Sequence, residues 1–195
     1  MSEPFTLFVT YGTDHHRFGR LGSWLEDWLA DHPEVTCLAQ EGYSTPPAGS
    51  IPVGIVSREE LLDMMRTSWA VVGQGGPGTV LDAAVVGKLP IVVPRLARYD
   101  EVVDDHQVAF CRRMAADGRA LLAESPEALR GCLDAALADP STVVSRTQVG
   151  PIDETVANVE SLLRDLTTQR PGFVSLPRLG SLIRPLHRRT AAAYH

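Results

Sequence analysis

The stretch that most constrains this chain is Trp69–Thr79, WAVVGQGGPGT. An apolar run enters four glycines and a proline within the six residues Gly73–Gly78, and an apolar-sided helical pattern of Val80, Leu81, Ala84 and Val85 follows. A strand that turns through glycines directly into a helix brings backbone close to whatever lies at the turn. The helix start behind it offers unpaired N–H groups and a partial positive charge, which suits phosphate oxygens. The segment formally matches G-x-G-x-x-G, a weak signal taken alone. Pro77 has no N–H, so the expected donors are Gly76, Gly78 and Thr79, with the Thr79 hydroxyl in reach.

The flanking sequence repeats the strand–helix alternation. Phe5–Thr10 reads as a strand ending at Tyr11-Gly12-Thr13. Leu21, Trp24, Leu25, Trp28 and Leu29 then fall at i, i+3, i+4, i+7 and i+8 on one helix face, closed by His32-Pro33. Val35–Ala39 and a weak Ile51–Val56 are further strands. Ser57 and Glu60 fit a capping box for the helix that follows. Pro90–Val93 is a strand covered on both faces. A helix is expected over Glu101–Ala116, a strand over Ala120–Ala123, a helix from Ser125-Pro126 to about Ala138, and a last helix marked by Ile152, Val156, Val159, Leu163 and Leu166. Strands alternating with helices predict an α/β fold, a Rossmann-like doubly wound parallel sheet.

The 195 residues suit one domain, taken as 1–169, followed by a different tail over 170–195. The whole chain has 18 basic and 24 acidic residues, a net charge of −6. From Arg170 to His195 there are five arginines and no acid, so residues 1–169 hold 13 basic against 24 acidic groups, or −11. An acidic body argues against nucleic acid as a partner. The basic tail carries Phe173, Leu176, Leu179, Leu182, Ile183 and Leu186 and is read either as a partly ordered extension or as a docking segment. No run approaches the roughly 20 apolar residues of a membrane-spanning helix, and the N-terminus shows no signal peptide. Cys37, Cys111 and Cys132 form no CxxC pair and are expected as reduced thiols, and no metal site is expected.

The ligand class follows from position. A dinucleotide fingerprint usually follows the first strand, with an acid about 20 residues on. Here the glycines follow the fourth strand, which counts against an NAD-dependent oxidoreductase. No GKS or GKT exists, and Lys88 is the one lysine, so a P-loop is excluded. Tyr99–Gln107, YDEVVDDHQ, is expected to open a helix with Glu101, Asp104 and Asp105 on one face. Acids there complement the helix dipole, and together with Gln107 they also offer the fixed acceptors that sugar hydroxyls need. No D-x-D occurs, which argues against a metal-dependent sugar transferase.

Three segments together, VTYGTDHH, GQGGPGTVLDAAVVGKLPIVVPR and YDEVVDDHQ, resemble the C-terminal, donor-binding half of the two-domain GT-B glycosyltransferases, in family 28. The resemblance covers about residues 5–165. It implies that Gly12 and Thr13 lie beside the donor diphosphate and that Gly75, Gly76, Gly78 and Thr79 cradle it. It implies that Glu101 binds the ribose hydroxyls, that Asp105 and Gln107 lie near the donor sugar, and that Ile55 and Val56 read the base. Gln74 stands where many relatives carry His, which supplies a neutral contact in place of a charged one. His15 and His16 fit a G-T-D-H-H pattern. His15 is the candidate catalytic base within the chain, against the alternative of a turn histidine.

The resemblance implies a metal-independent sugar transfer without cofactor, from a nucleotide sugar, UDP-linked, to a lipid-linked acceptor. A chain of this length resembles the catalytic subunit of split transferases of bacterial exopolysaccharide or dolichol-linked GlcNAc-transferase type. Their partner is a membrane-anchored acceptor-binding subunit that supplies the base. The chain is then expected to be inactive alone, and cytoplasmic at the inner face of the membrane through that partner. A non-catalytic nucleotide-sugar-binding module is the alternative.

Overall fold

The computed structural model describes residues 5–146. The last predicted helix, the boundary at residue 169 and the basic tail lie outside the described residues. Six strands form one parallel sheet: β1 (Phe5–Thr10), β2 (Val35–Gln40), β3 (Ile51–Pro52), β4 (Ala70–Gln74), β5 (Ile91–Val93) and β6 (Leu121–Leu122). Their spatial order is β3-β2-β1-β4-β5-β6, with every pairing parallel. The helices are α1 (Gly19–Asp31), α2 (Arg58–Thr67), α3 (Pro77–Val85), α4 (His106–Ala116) and α5 (Pro126–Ala138). This is the doubly wound arrangement that the alternation predicts.

The near-continuous apolar strands follow from burial on both faces. Leu7, Val9, Val72, Ile91 and Val93 pack on α1 and α5 through Leu21, Leu25, Trp28, Leu129 and Leu133. Their sequence neighbours turn to the other face. Phe8 and Val71 meet Met65 and Ala83 of α2 and α3, and Val92 meets Val80 and Cys111 of α3 and α4. Strand side chains alternate faces, so a run such as Ile91-Val92-Val93 must be apolar throughout. Trp28 also donates its indole N–H to Asp134 Oδ1 at 2.7 Å, which joins α1 to α5.

Local signals are met where they are local. Ser57 Oγ accepts the Glu60 N–H, and Glu60 Oε2 accepts the Ser57 N–H, closing the capping box ahead of α2. Cys37, Cys111 and Cys132 are free thiols. Two expectations are corrected. β3 stops at Pro52 rather than Val56, because Pro52 has no N–H and Gly54 turns the chain at φ +69°. The helix expected over Glu101–Ala116 begins only at His106. Ala97–Tyr99 form a 3-10 turn, Asp100 sits in the left-handed region at φ 54°, and the chain reaches α4 through irregular backbone. Glu101, Asp104 and Asp105 therefore do not share a helix face.

Candidate functional site

The sheet order reverses between β1 and β4. From the C-terminal end of β1 the chain leaves to α1 on one face, and from β4 it leaves to α3 on the other. In open parallel sheets this switch point, outside the carboxyl ends of the strands, is where ligands bind. Both glycine loops lie there: Gly12-Thr13 after β1, and Gly75–Thr79 after β4.

The glycines of these loops differ in what requires them. A Cβ on Gly73 would stand 2.6 Å from Thr79 Cγ2, one on Gly75 would stand 2.0 Å from Cys111 Sγ, and one on Gly76 would stand 2.5 Å from Gln74 Nε2. Gly12 has φ +74°, and its Cβ would meet Gln74 Nε2 at 2.8 Å. Packing requires glycine at Gly73 and Gly75 and the backbone conformation requires it at Gly12, whereas at Gly76 the neighbour is the movable end of the Gln74 side chain. Gly78 is different: a Cβ there meets nothing within 4 Å. It occupies the first turn of α3, behind Pro77, facing open space.

The donor set narrows in the same way. Gly76 N–H is given to Gln74 O at 2.9 Å, which corrects the expectation that it is available to a phosphate. The first-turn N–H groups of Gly78 and Thr79 have no place in the helix ladder and remain for a ligand. Thr79 itself is buried, with its methyl against Gly73.

Gln74 links the two loops. Its amide packs against Gly12 and Gly76, and its Oε1 accepts Gln107 Nε2 at 3.3 Å. Gln107, at the start of α4, is 8% exposed and uses its Oε1 to accept the Arg95 N–H. Of the residues expected at the donor sugar, Gln107 is thus committed to the scaffold. Asp105 stands at the N-cap position of α4, but its side chain makes no capping bond there and instead accepts the Ala97 N–H at 2.8 Å. Ile55 and Val56 follow β3 at the same sheet edge; Ile55 is exposed and Val56 half-buried.

Glu101 is drawn inward. It is 3% exposed, its two oxygens accept Arg20 Nε at 3.0 Å and Arg20 Nη2 at 2.7 Å, and Oε2 also accepts the Leu96 N–H. Arg20 in turn donates to Pro94 O and lies over the Trp24 ring, 4.6 Å from its centroid. The carboxylate assigned to ribose by resemblance holds α1 to the segment after β5.

Two arginines escaped the sequence reading. One is Arg20. The other is Arg95, which is fully buried and donates to Tyr11 O, His16 O and Glu101 O at 2.7–2.8 Å. Its Nε has no partner. Burial lowers its affinity for its proton, while Asp14 and Glu101 raise it. This buried cation ties the loop after β1 to the loop after β5. A signal was present in the sequence: a charged residue two positions beyond the strand Pro90–Val93. A third residue is Asp82 on α3, whose Oδ1 accepts Arg58 Nε and Nη2 at 3.1 and 2.7 Å. It places a carboxylate one turn beyond Gly78.

The loop after β1 continues into Asp14, His15 and His16. Asp14 Oδ1 accepts the His16 N–H at 2.8 Å and lies 2.7 Å from His16 Nδ1. Burial pushes the Asp14 carboxyl up, but the His16 N–H and ring, with the charge of Arg95, hold it below the usual range. His15 is the more exposed of the two histidines, with a side-chain exposure of 79% against 24% for His16. The structure orients His16, not His15. No described helix is long and apolar enough to cross a membrane.

Comparison with known proteins bears on this geometry. The glycosyltransferase family 28 C-terminal domain is matched over residues 49–148, or 100 of the 195 residues. A segment of 86 residues is 39% identical to the UDP-N-acetylglucosamine–N-acetylmuramyl-(pentapeptide) pyrophosphoryl-undecaprenol N-acetylglucosamine transferase of Rhodospirillum centenum, covering 42% of this chain and 22% of that protein. Among solved structures, the fold is similar to the glycotransferase of kitacinnamycin (TM-score 0.53, 17% identity, 71% of this chain and 36% of that one). It is also similar to MurG of Acinetobacter baumannii (TM-score 0.50, 20% identity, 73% of this chain and 44% of that one). The chain spans less than half the length of each of these proteins.

Proposed function

Because the chain belongs to the glycosyltransferase family 28 C-terminal domain family, we propose that residues 5–146 bind the nucleoside diphosphate of a sugar donor, UDP by this reading. The observation that carries it is the open cradle at Gly78. Gly12, Gly73 and Gly75 are explained by backbone conformation and packing, whereas Gly78 leaves space over the free N–H groups of Gly78 and Thr79 at a helix start. In transfer, negative charge grows on the leaving diphosphate. Preoriented N–H groups and the N-terminus of α3 stabilise it without reorganising. The family, and a relative whose name includes a UDP-sugar and a pyrophosphoryl-undecaprenol, support a lipid-linked acceptor.

The finer reading is that this is the donor-binding subunit of a split enzyme. A membrane-anchored partner would hold the acceptor and supply the base, which makes the chain inactive alone and peripheral at the inner membrane face. The exopolysaccharide type belongs to the same reading. Gly12 and Thr13 close the cradle from the β1 side, and Ile55 and Val56 face the base. Both Glu101 oxygens are held by Arg20, whereas Arg58 takes only Oδ1 of Asp82, and we assign the Oδ2 of Asp82, one turn beyond Gly78, to the donor's ribose hydroxyls.

Thermal unfolding with nucleotides tests the core of the proposal. A ligand that binds only the native state stabilises it by about 2.7 kcal/mol at a hundredfold excess over Kd. UDP is expected to raise Tm, with uridine weaker and NAD without effect. A rise with NAD and none with UDP would overturn the donor reading. Transfer to a lipid acceptor by the single purified chain would overturn the split-enzyme reading while leaving the donor site intact.

A further inference from the structure

We propose that Asp14, His15 and His16 form a divalent transition-metal site at the lip of the donor cradle. Among the described residues, these three place one carboxylate oxygen and two imidazole nitrogens within 4.8 Å of one another. Zinc bonds to such atoms are about 2.0–2.1 Å, so a tetrahedral ion sets its ligand atoms about 3.4 Å apart. Asp14 Oδ1 lies 2.7 Å from His16 Nδ1 and 3.7 Å from His15 Nδ1, on either side of that spacing. The imidazole rings lie 4.1 Å apart and tilted by 38°. An ion entering here replaces the hydrogen bond between Asp14 and His16. The His16 proton moves from Nδ1 to Nε2, and the Nδ1 lone pair becomes the ligand.

The backbone beneath the cluster is already fixed. The His16 carbonyl accepts buried Arg95, and Phe18 N–H donates to Ser44 Oγ at 2.9 Å. Two imidazoles and one carboxylate, with no thiolate, favour zinc and its neighbours in the first transition row over magnesium or calcium, which prefer all-oxygen shells. Three protein ligands leave at least one position open. Thr13, in the loop assigned to the diphosphate, directly precedes Asp14 in the chain. The site thus adds an ion that neither the absence of D-x-D nor the proposed transfer chemistry calls for. Only its coupling to UDP rests on the proposed function.

The test uses the untagged full chain, freed of metal by a chelator and titrated calorimetrically with Zn²⁺ and Mg²⁺. One Zn²⁺ per chain is expected, with no Mg²⁺ binding at the same concentrations. Loss of even an outer-shell partner weakens metal sites about 10–100-fold, so Asp14→Ala and His16→Ala should each weaken Zn²⁺ at least about 100-fold. Asp14 is exposed and His16 half-buried, and neither is part of the core, so both substitutions are expected to fold, which circular dichroism checks. His106→Ala is the control: it breaks the other Asp–His pair, with Asp104, which has no third ligand. Absence of Zn²⁺ binding, or binding unchanged in Asp14→Ala and His16→Ala, would overturn the site. UDP affinity should also rise with Zn²⁺ in the wild type and not in Asp14→Ala, which corrects for zinc bound by free UDP. Equal gains in both proteins overturn the link to the diphosphate. UDP binding in chelator, measured separately, decides the donor reading whatever zinc does.

Discussion

Two neighbouring segments of this molecule, the glycine loop Gly73–Thr79 and the acidic segment Tyr99–Gln107, carry comparably suggestive residues and met opposite fates. The glycine loop folds as its local sequence dictates, a strand turning into a helix at Pro77. In the acidic segment the polar groups are spent inside the protein: Glu101 on Arg20, Gln107 on Gln74 and Arg95 N–H, Asp105 on Ala97 N–H. The difference lies in range. A glycine's freedom and a helix start are properties of a few adjacent residues. A carboxylate's availability depends on what arrives from elsewhere, and Arg20 is 81 residues away from Glu101.

The largest effect that would break this contrast is at Glu101. Removing one partner of a buried ion pair leaves the other charge uncompensated, at a cost of about 3–5 kcal/mol. Arg20 and Glu101 have side-chain exposures of only 14% and 4%. Glu101→Ala should therefore lose about that much stability in urea unfolding. Wild-type stability together with weakened UDP binding would return Glu101 to the ribose.

Next comes Gly78. Its missing Cβ faces open space, so Gly78→Val should fold with near-normal stability. The branched side chain fills that space and pushes the phosphate off the N–H groups, so UDP affinity should fall by about 1.5–3 kcal/mol, the range for a lost hydrogen bond to a charged group. Calorimetric titration showing unchanged UDP affinity would empty the cradle of its meaning.

Gly75 sharpens the same point from the other side. Gly75→Ala sets a methyl 2.0 Å from Cys111 Sγ, and overpacking of that kind costs about 1–3 kcal/mol. The double variant Gly75→Ala/Cys111→Ala should recover most of the loss. Failure to recover would mean that Gly75 is required by something other than α4.

Much of the fold was legible for the same reason. The alternation of apolar residues at i, i+3, i+4 in α1 and the continuous apolar run of β5 report burial directly, because side-chain period follows backbone geometry. The capping box at Ser57 closes over four residues. The helix expected from Glu101 failed because its acids suit a first helical turn, while the left-handed Asp100 and the inward pull of Arg20 hold the chain off helix until His106. In the candidate site, the place of both glycine loops was readable. The work divided among the glycines was not, since Gly75 and Gly78 look alike in sequence and differ only in what stands over them.

The sequence by itself determined a parallel α/β sheet, a glycine turn after the fourth strand, and a helix start able to hold an anion. These depend on period, composition and the chemistry of adjacent residues. Tertiary structure alone decided that Arg95 would be a buried cation tying two loops and that Glu101 would close an ion pair instead of facing solvent. Long side chains reach across the fold, and a charge leaves water only where the rest of the chain supplies its partners.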